Sequence, residues 1–158
     1  MRESPPLPQP VQIRPLEARD QVQWRSLYRH YAQFYRSPMT DAILERSWSW
    51  LMAPQHPVEG MVAESADQRL VGLAHFRACP DPLIAQDVGY LDDLFVAPEQ
   101  RGAGTGRSLI MAVATIAQER GWPVVRWVTA ETNAPARRLY DQLAQATAWV
   151  TYDLSVPR

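Results

Sequence analysis

Three glycines alternate at positions 102, 104 and 106, between Arg101 and Arg107. Glycine lacks a Cβ and reaches positive φ cheaply, so such a loop lets a ligand approach its backbone amides. The loop follows an apolar run ending at Val96 and Pro98, and leads into a second apolar run with helical spacing. A strand, a glycine loop and a helix in that order bring unpaired N–H groups and the positive end of a helix dipole together. That is the chemistry of an anion site, suited to a phosphate or pyrophosphate. Arg101 and Arg107 would add charge-assisted hydrogen bonds. Two other phosphate loops do not fit. One requires Gly-Lys-Ser/Thr, and all sixteen basic residues here are arginine. The dinucleotide fingerprint requires G-x-G-x-x-G early in the chain, and here the spacing is G-x-G-x-G, late. Alternating glycines alone would also suit a flexible turn.

The elements that must position this loop come from one domain's worth of chain. Its 158 residues carry a formal charge of −1 and are 46% apolar, which excludes a largely disordered chain and the broad basic face of a non-specific nucleic-acid binder. No window reaches the roughly 18 apolar residues of a membrane span. Cys79 alone forms no internal disulfide. Residues 1–10, with four prolines, read as a flexible arm, and residues 11–158 as a single domain.

Alternation over residues 11–16 predicts a first strand. Asp20, with Gln23 three residues on, predicts a capping box opening a helix whose apolar stripe is Trp24, Leu27, Tyr28, Tyr31, Phe34 and Tyr35. A second helix over 41–52, capped by Thr40, would turn Ile43, Leu44, Trp48 and Leu51 inward. Residues 60–64 and 69–77 flank a polar turn and predict a hairpin, and residues 88–96 a further strand. Leu109, Ile110, Val113, Ile116 and Ala117 define a helix stopped by Gly121 and Pro123. Strands are expected at 124–129 and 149–156. Between them lies a helix with Asn133 as cap and Pro135 in its first turn. The predicted order is βαα-βββ-αβαβ, an α/β fold with a mixed, mostly antiparallel sheet flanked by helices.

The pattern R-x-x-G-x-G at Arg101, Gly104 and Gly106 resembles the acetyl-CoA loop of the GNAT superfamily of N-acetyltransferases. Val96-x-Pro98 before it and the apolar helix after it match as well. The segment from Glu131 to Tyr140 is similar to that family's N-x-x-A-x-x-x-Y, and the run from Tyr90 to Val96 is similar to that of spermidine/spermine and yeast histone and polyamine acetyltransferases. The resemblance covers most of the chain after Val11, and the element order agrees with the GNAT fold.

It implies a direct transfer of the acetyl group from acetyl-CoA to a primary amine in a ternary complex. Arg101, Gly102, Ala103, Gly104, Thr105, Gly106 and Arg107 would hold the pyrophosphate. Leu94, Phe95 and Val96 would contact the pantetheine arm and supply an N–H to the thioester carbonyl, where charge develops. Asn133 would contact the cofactor, and Tyr140 would protonate the departing thiolate. One carboxylate must accept the ammonium proton. Adjacent residues of a strand point to opposite faces, so only one of Asp92 and Asp93 would face the amine. Asp92 is the first choice, ahead of Asp93 and Glu131, because the resemblance to the polyamine acetyltransferases implies an acidic base at its position. Some rings of the aromatic stripe would line the acceptor pocket and hold a cation.

His30, His56 and His75 have no metal-ligand spacing, so no metal is expected. The acceptor is either a small molecule, such as a polyamine or an amino acid, or a lysine side chain of a protein. A cytoplasmic homodimer without nucleic-acid or membrane partners is expected. The Gly-Phe pair found after the last helix in many members is absent here. An acyl-CoA sensor without turnover is the alternative, against which Tyr140 and the acidic pair argue.

Overall fold

The computed structural model describes residues 10–158, so most of the expected N-terminal arm lies outside the described residues. These residues divide into two compact units after Trp127.

The first unit is a five-stranded sheet in sequential order: β1 (Val11–Pro15), β2 (Val58–Ser65), β3 (Leu70–Asp81), β4 (Gln86–Val96) and β5 (Val125–Arg126). The first three pairings are antiparallel and the last is parallel. Helices α1 (Gln21–Phe34) and α2 (Asp41–Met52) connect β1 to β2, and α3 (Thr105–Arg120) crosses from β4 to β5.

Side-chain alternation divides the sheet between two cores. Val62, Leu73 and Phe95 share a face and pack with Trp24 and Leu27 of α1 and Leu44 and Trp48 of α2. Burying each such side chain contributes roughly 1.5–3 kcal/mol. The other face receives α3, whose Leu109, Ile110, Val113 and Ala117 are buried at helical spacing. Gly89 permits a close approach there, because a Cβ on it would lie 2.9 Å from the Trp122 ring.

Several predicted details are corrected. Asp20 makes no side-chain cap to α1. Its carboxylate is taken instead by Arg14 and by the Glu17 N–H, while Gln23 accepts from Leu70 N–H and donates to the Gln68 carbonyl. Thr40 does cap α2, accepting from Ile43 N–H at 3.2 Å. Ile43 itself turns outward, since Leu44 and Trp48 already fill the inner face. The parallel strand is two residues long rather than six, because only Val125 and Arg126 stay in register with Gly89 and Tyr90.

The second unit contains α4 (Ala134–Leu143), with Pro135 in its first turn as expected. Asn133 precedes it but makes no side-chain cap, donating instead to Thr129 Oγ1 at 3.3 Å. The strand expected at 149–156 does not form. Residues 144–158 are irregular, with Trp149, Tyr152 and Leu154 nearly fully exposed. Their unit offers no other strand, and alternation alone does not satisfy backbone hydrogen bonds.

Candidate active site

The site grows from an irregularity in the β3–β4 ladder. His75 pairs with Asp93, but Phe76 pairs with Leu91, so Asp92 is an extra residue on β4. A bulge of this kind redirects side chains. Asp93 meets His75, whose Nδ1 lies 2.8 Å from Oδ2. Asp92 accepts from Arg77 Nε at 3.0 and 3.2 Å. His75 and Arg77 are two residues apart and share a face of β3. Both carboxylates therefore engage the same face of the sheet. The expectation that they diverge is overturned, because strict alternation fails at a bulge.

Their environments differ. Asp93 also accepts from the Tyr28 hydroxyl at 2.9 Å, and its charge acts on the nearby Tyr31 phenol. Burial pushes its carboxyl up, but the hydrogen bond from His75, with the tyrosines beside it, outweighs burial and holds it below the usual carboxylate range. Asp92 goes the other way. Burial raises it, Arg77 opposes, and the neighbouring Asp93 charge adds to the rise. Asp92 is thus the better proton acceptor of the pair. Burial, together with the Asp93 charge, pushes the phenols of Tyr28 and Tyr31 far up, so both stay protonated donors.

Beyond the bulge, β4 offers its amides on one edge. Ala97 N–H donates to the Val71 carbonyl at 2.8 Å, which by alternation turns the N–H groups of Phe95 and Asp93 toward β3 and those of Leu94 and Val96 away from it. Among the described residues β5 pairs with β4 only at Gly89 and Tyr90, so no strand covers that edge at Leu94 and Val96. Phe95 cannot supply the expected N–H: its amide belongs to the β3 ladder and its side chain to the core.

The glycine loop follows directly. Gly102 and Gly104 hold φ of 81° and 84°, the left-handed region that glycine tolerates best. A Cβ on either would meet nothing within 4 Å, so the backbone is open to a ligand. Gly104 caps α3, and Ser108 N–H to the Gly104 carbonyl is the first helical bond, with Thr105, Gly106 and Arg107 in the first turn. Ala103 is exposed and the Thr105 side chain is buried. Arg101 folds back on β4, donating from Nε to the Val96 carbonyl at 3.0 Å and lying 5.6 Å from the Phe34 and Phe95 rings. It braces the loop against the strand. Positive φ, absent Cβ atoms and a helix N-terminus fit a pyrophosphate.

In the second unit Tyr140 lies half-buried on α4, and the Glu131 carbonyl accepts from Arg137. A cleft of about 720 Å³ lies between α1 and the loop after β4, lined by residues including His30, Phe34, Phe95 and Arg101. Neither aspartate nor any of the three glycines lines it, so its size does not make it the reaction centre. Among the described residues no group of three or more His, Cys, Asp or Glu side chains is arranged to hold a metal, and no helix is long and apolar enough to cross a membrane.

The model of the acetyltransferase (GNAT) family matches residues 24–144. The chain belongs to the GNAT acetyltransferase family. This GNAT chain is 30% identical over 145 residues to the D-amino-acid N-acetyltransferase HPA3 of Saccharomyces cerevisiae, covering 90% of this chain and 89% of that one. It is 35% identical over 65 residues to a thialysine N-epsilon-acetyltransferase of Bos taurus, 38% of each. The structure of a ribosomal-protein-alanine N-acetyltransferase from Brucella melitensis biovar Abortus 2308 superposes with a TM-score of 0.78 at 27% identity, covering 94% of this chain and all of that one. This GNAT protein is an acetyl-CoA-dependent acyltransferase. The similarity does not single out a polyamine subgroup.

The sequence reading missed His75 and Arg77, and gave Tyr28 only as one ring of the stripe bordering the acceptor pocket. The available signal was the place of His75 two residues after Leu73 on an inward face, where a histidine needs partners.

Proposed function

We propose that this protein acetylates the primary amine of a small cationic or amino-acid-like molecule, by direct attack on acetyl-CoA in a ternary complex. The observation that carries the reading is the pair of carboxylates on one face at the β4 bulge, followed on the same strand by two outward amides and then by the glycine loop. The support for a small amine is the D-amino acid named for the relative that matches 90% of this chain, with thialysine named for a shorter match. The ribosomal-protein alanine named for the Brucella structure points to a protein amine instead.

In this proposal the amides of Leu94 and Val96 hold the pantetheine arm beside β4 and polarise the thioester carbonyl. Gly102, Gly104 and the first turn of α3 take the pyrophosphate, and Asn133 adds a contact to the cofactor. Asp92 accepts the ammonium proton directly or through one water. The amine nitrogen then bonds to the carbonyl carbon, the C–S bond breaks, Tyr140 gives its phenolic proton to the thiolate, and the second proton shed by the nitrogen returns through water to the phenolate. The test is thiol release from acetyl-CoA with a panel of amino acids, diamines and lysine peptides. Turnover with small amines supports the reading, and turnover with peptides alone refutes the acceptor class.

Tyr140→Phe should lower kcat by about 10² or more with cofactor affinity nearly unchanged. A rate near wild type removes Tyr140 from the acid role. Gly104→Val should weaken acetyl-CoA binding at least tenfold, about 1.4 kcal/mol, by calorimetry. A branched residue at φ of 84° is strained and would rearrange the loop before any ligand arrives. Unchanged affinity would place the cofactor elsewhere.

A second copy of the chain completes the assembly in this proposal. Its support is the alternation of exposed Val150, Tyr152, Leu154 and Val156, which a partner strand would cover. Sedimentation showing a monomer at micromolar concentration would refute it.

A further inference from the structure

The buried polar cluster under α1 has no role in the chemistry so far. Trp24 Nε1 lies 2.9 Å from His75 Nε2, and both side chains are buried, at 0% and 3% exposure. An indole N–H only donates, so His75 Nε2 must present its lone pair. The ring proton therefore sits on Nδ1, which donates to Asp93 Oδ2 at 2.8 Å. The Tyr28 hydroxyl donates to the same oxygen at 2.9 Å. Each donor is fixed by packing: Trp24 against Tyr28 and Trp48 at about 5 Å, and Tyr28 edge-on to His75 at 4.8 Å.

We infer that His75 is a positioning residue: oriented by Trp24, it holds Asp93 as a fixed anionic acceptor and so leaves Asp92 as the carboxylate that accepts the substrate proton. The inference rests on the proposed function and deepens it by dividing the labour within the acidic pair. Two neighbouring carboxylates whose surroundings push their proton affinities apart take different roles. The groups facing Asp93 are His75 from β3 and Tyr28 and Tyr31 from α1. Those facing Asp92 are Arg77 and His75 from β3 and Asp93 from β4, with Tyr28 close enough to respond to its charge. In the reaction the proton leaves the acceptor's ammonium for an Asp92 oxygen and then for bulk water. None passes to His75, whose Nε2 lone pair is committed to Trp24.

Two measurements test this. Nitrogen-15 NMR of the wild-type protein at pH 7, with the His75 signals assigned by their loss in His75→Asn, should show Nδ1 protonated and Nε2 bare. The opposite tautomer overturns the inference without any turnover being needed. In pH profiles of kcat/KM, Asp93→Asn should move the acid limb to lower pH by about half a pH unit or more, because a neighbouring negative charge has been removed. His75→Asn, whose amide donates from about the place of Nδ1, should leave the limb near wild type, while His75→Leu should move it as Asp93→Asn does. An unmoved limb in Asp93→Asn overturns the inference. If Asp92→Asn keeps the limb, the proposed base is wrong and the division of labour falls with it. The tautomer then still reports whether His75 and Trp24 hold Asp93.

Discussion

Asp92→Asn should lower kcat/KM by about 10² to 10⁴ and erase the acid limb of its pH profile, with thermal stability almost unchanged. The substitution keeps the side chain's size, and Asn can still accept from Arg77. What it loses is the capacity to bind a proton. Wild-type kcat/KM should rise with pH as Asp92 ionises. The midpoint should lie above that of an ordinary aspartate, since burial, aided by the Asp93 charge, raises Asp92 more than Arg77 lowers it. The sign can be checked independently. Arg77→Met removes the opposing cation and should move the limb to still higher pH. The Asp92 side chain is 28% exposed, enough for a substrate or a bridging water to reach it. A near-wild-type rate with the limb intact would remove Asp92 from the mechanism.

Arg14→Met should cost about 3–5 kcal/mol of folding stability at pH 7. Arg14 lies on β1, only 8% exposed, and holds Asp20 with two hydrogen bonds of 2.7 and 2.8 Å. It also donates to Glu64 on β2 at 2.9 Å and to the Pro15 carbonyl at 3.1 Å. Methionine fills a similar space but leaves the two carboxylates facing each other with little water. Burial pushes the Asp20 carboxyl up, yet Arg14 and the Glu17 N–H outweigh it and hold it below its ordinary value. A carboxylate depressed in the folded state contributes stability above its unfolded pKa, near 3.9, and loses it as pH falls through the lower folded value. Wild-type stability should therefore decline below about pH 4, and that part of the decline should vanish in Arg14→Met. Urea unfolding measures both. A loss under about 1 kcal/mol would mean that the carboxylates find water after all.

The sequence made legible whatever depends on local pattern. Thr40 capped as its type demands, Gly121 stopped α3 in the left-handed region, and the turn at 65–68 joined two antiparallel strands. The glycine loop was readable because its chemistry lies in the backbone. The readings that failed turned on partners that pattern alone does not reveal, some near in sequence and some far. Asp20 resembled a local cap until Arg14 and Glu17 claimed it. Alternation at 149–156 could not reveal that its own unit supplies no neighbouring strand. Trp24 and His75 are 51 residues apart, and nothing in either segment encodes their hydrogen bond. The bulge was invisible because an extra residue shows only against the strand it fails to match.

That extra residue has a further consequence. Without Asp92, Leu91 and Asp93 would be consecutive and would still oppose Phe76 and His75. Deleting this one codon would therefore leave every other pair in place and convert the irregular ladder into an ordinary one. The reverse event, a single-codon insertion into a plain hairpin, would create the kink and the second carboxylate together, with no compensating change elsewhere in the sheet. Gain or loss of the acidic pair is thus one mutational step in chain length, and it can be taken without rebuilding the fold.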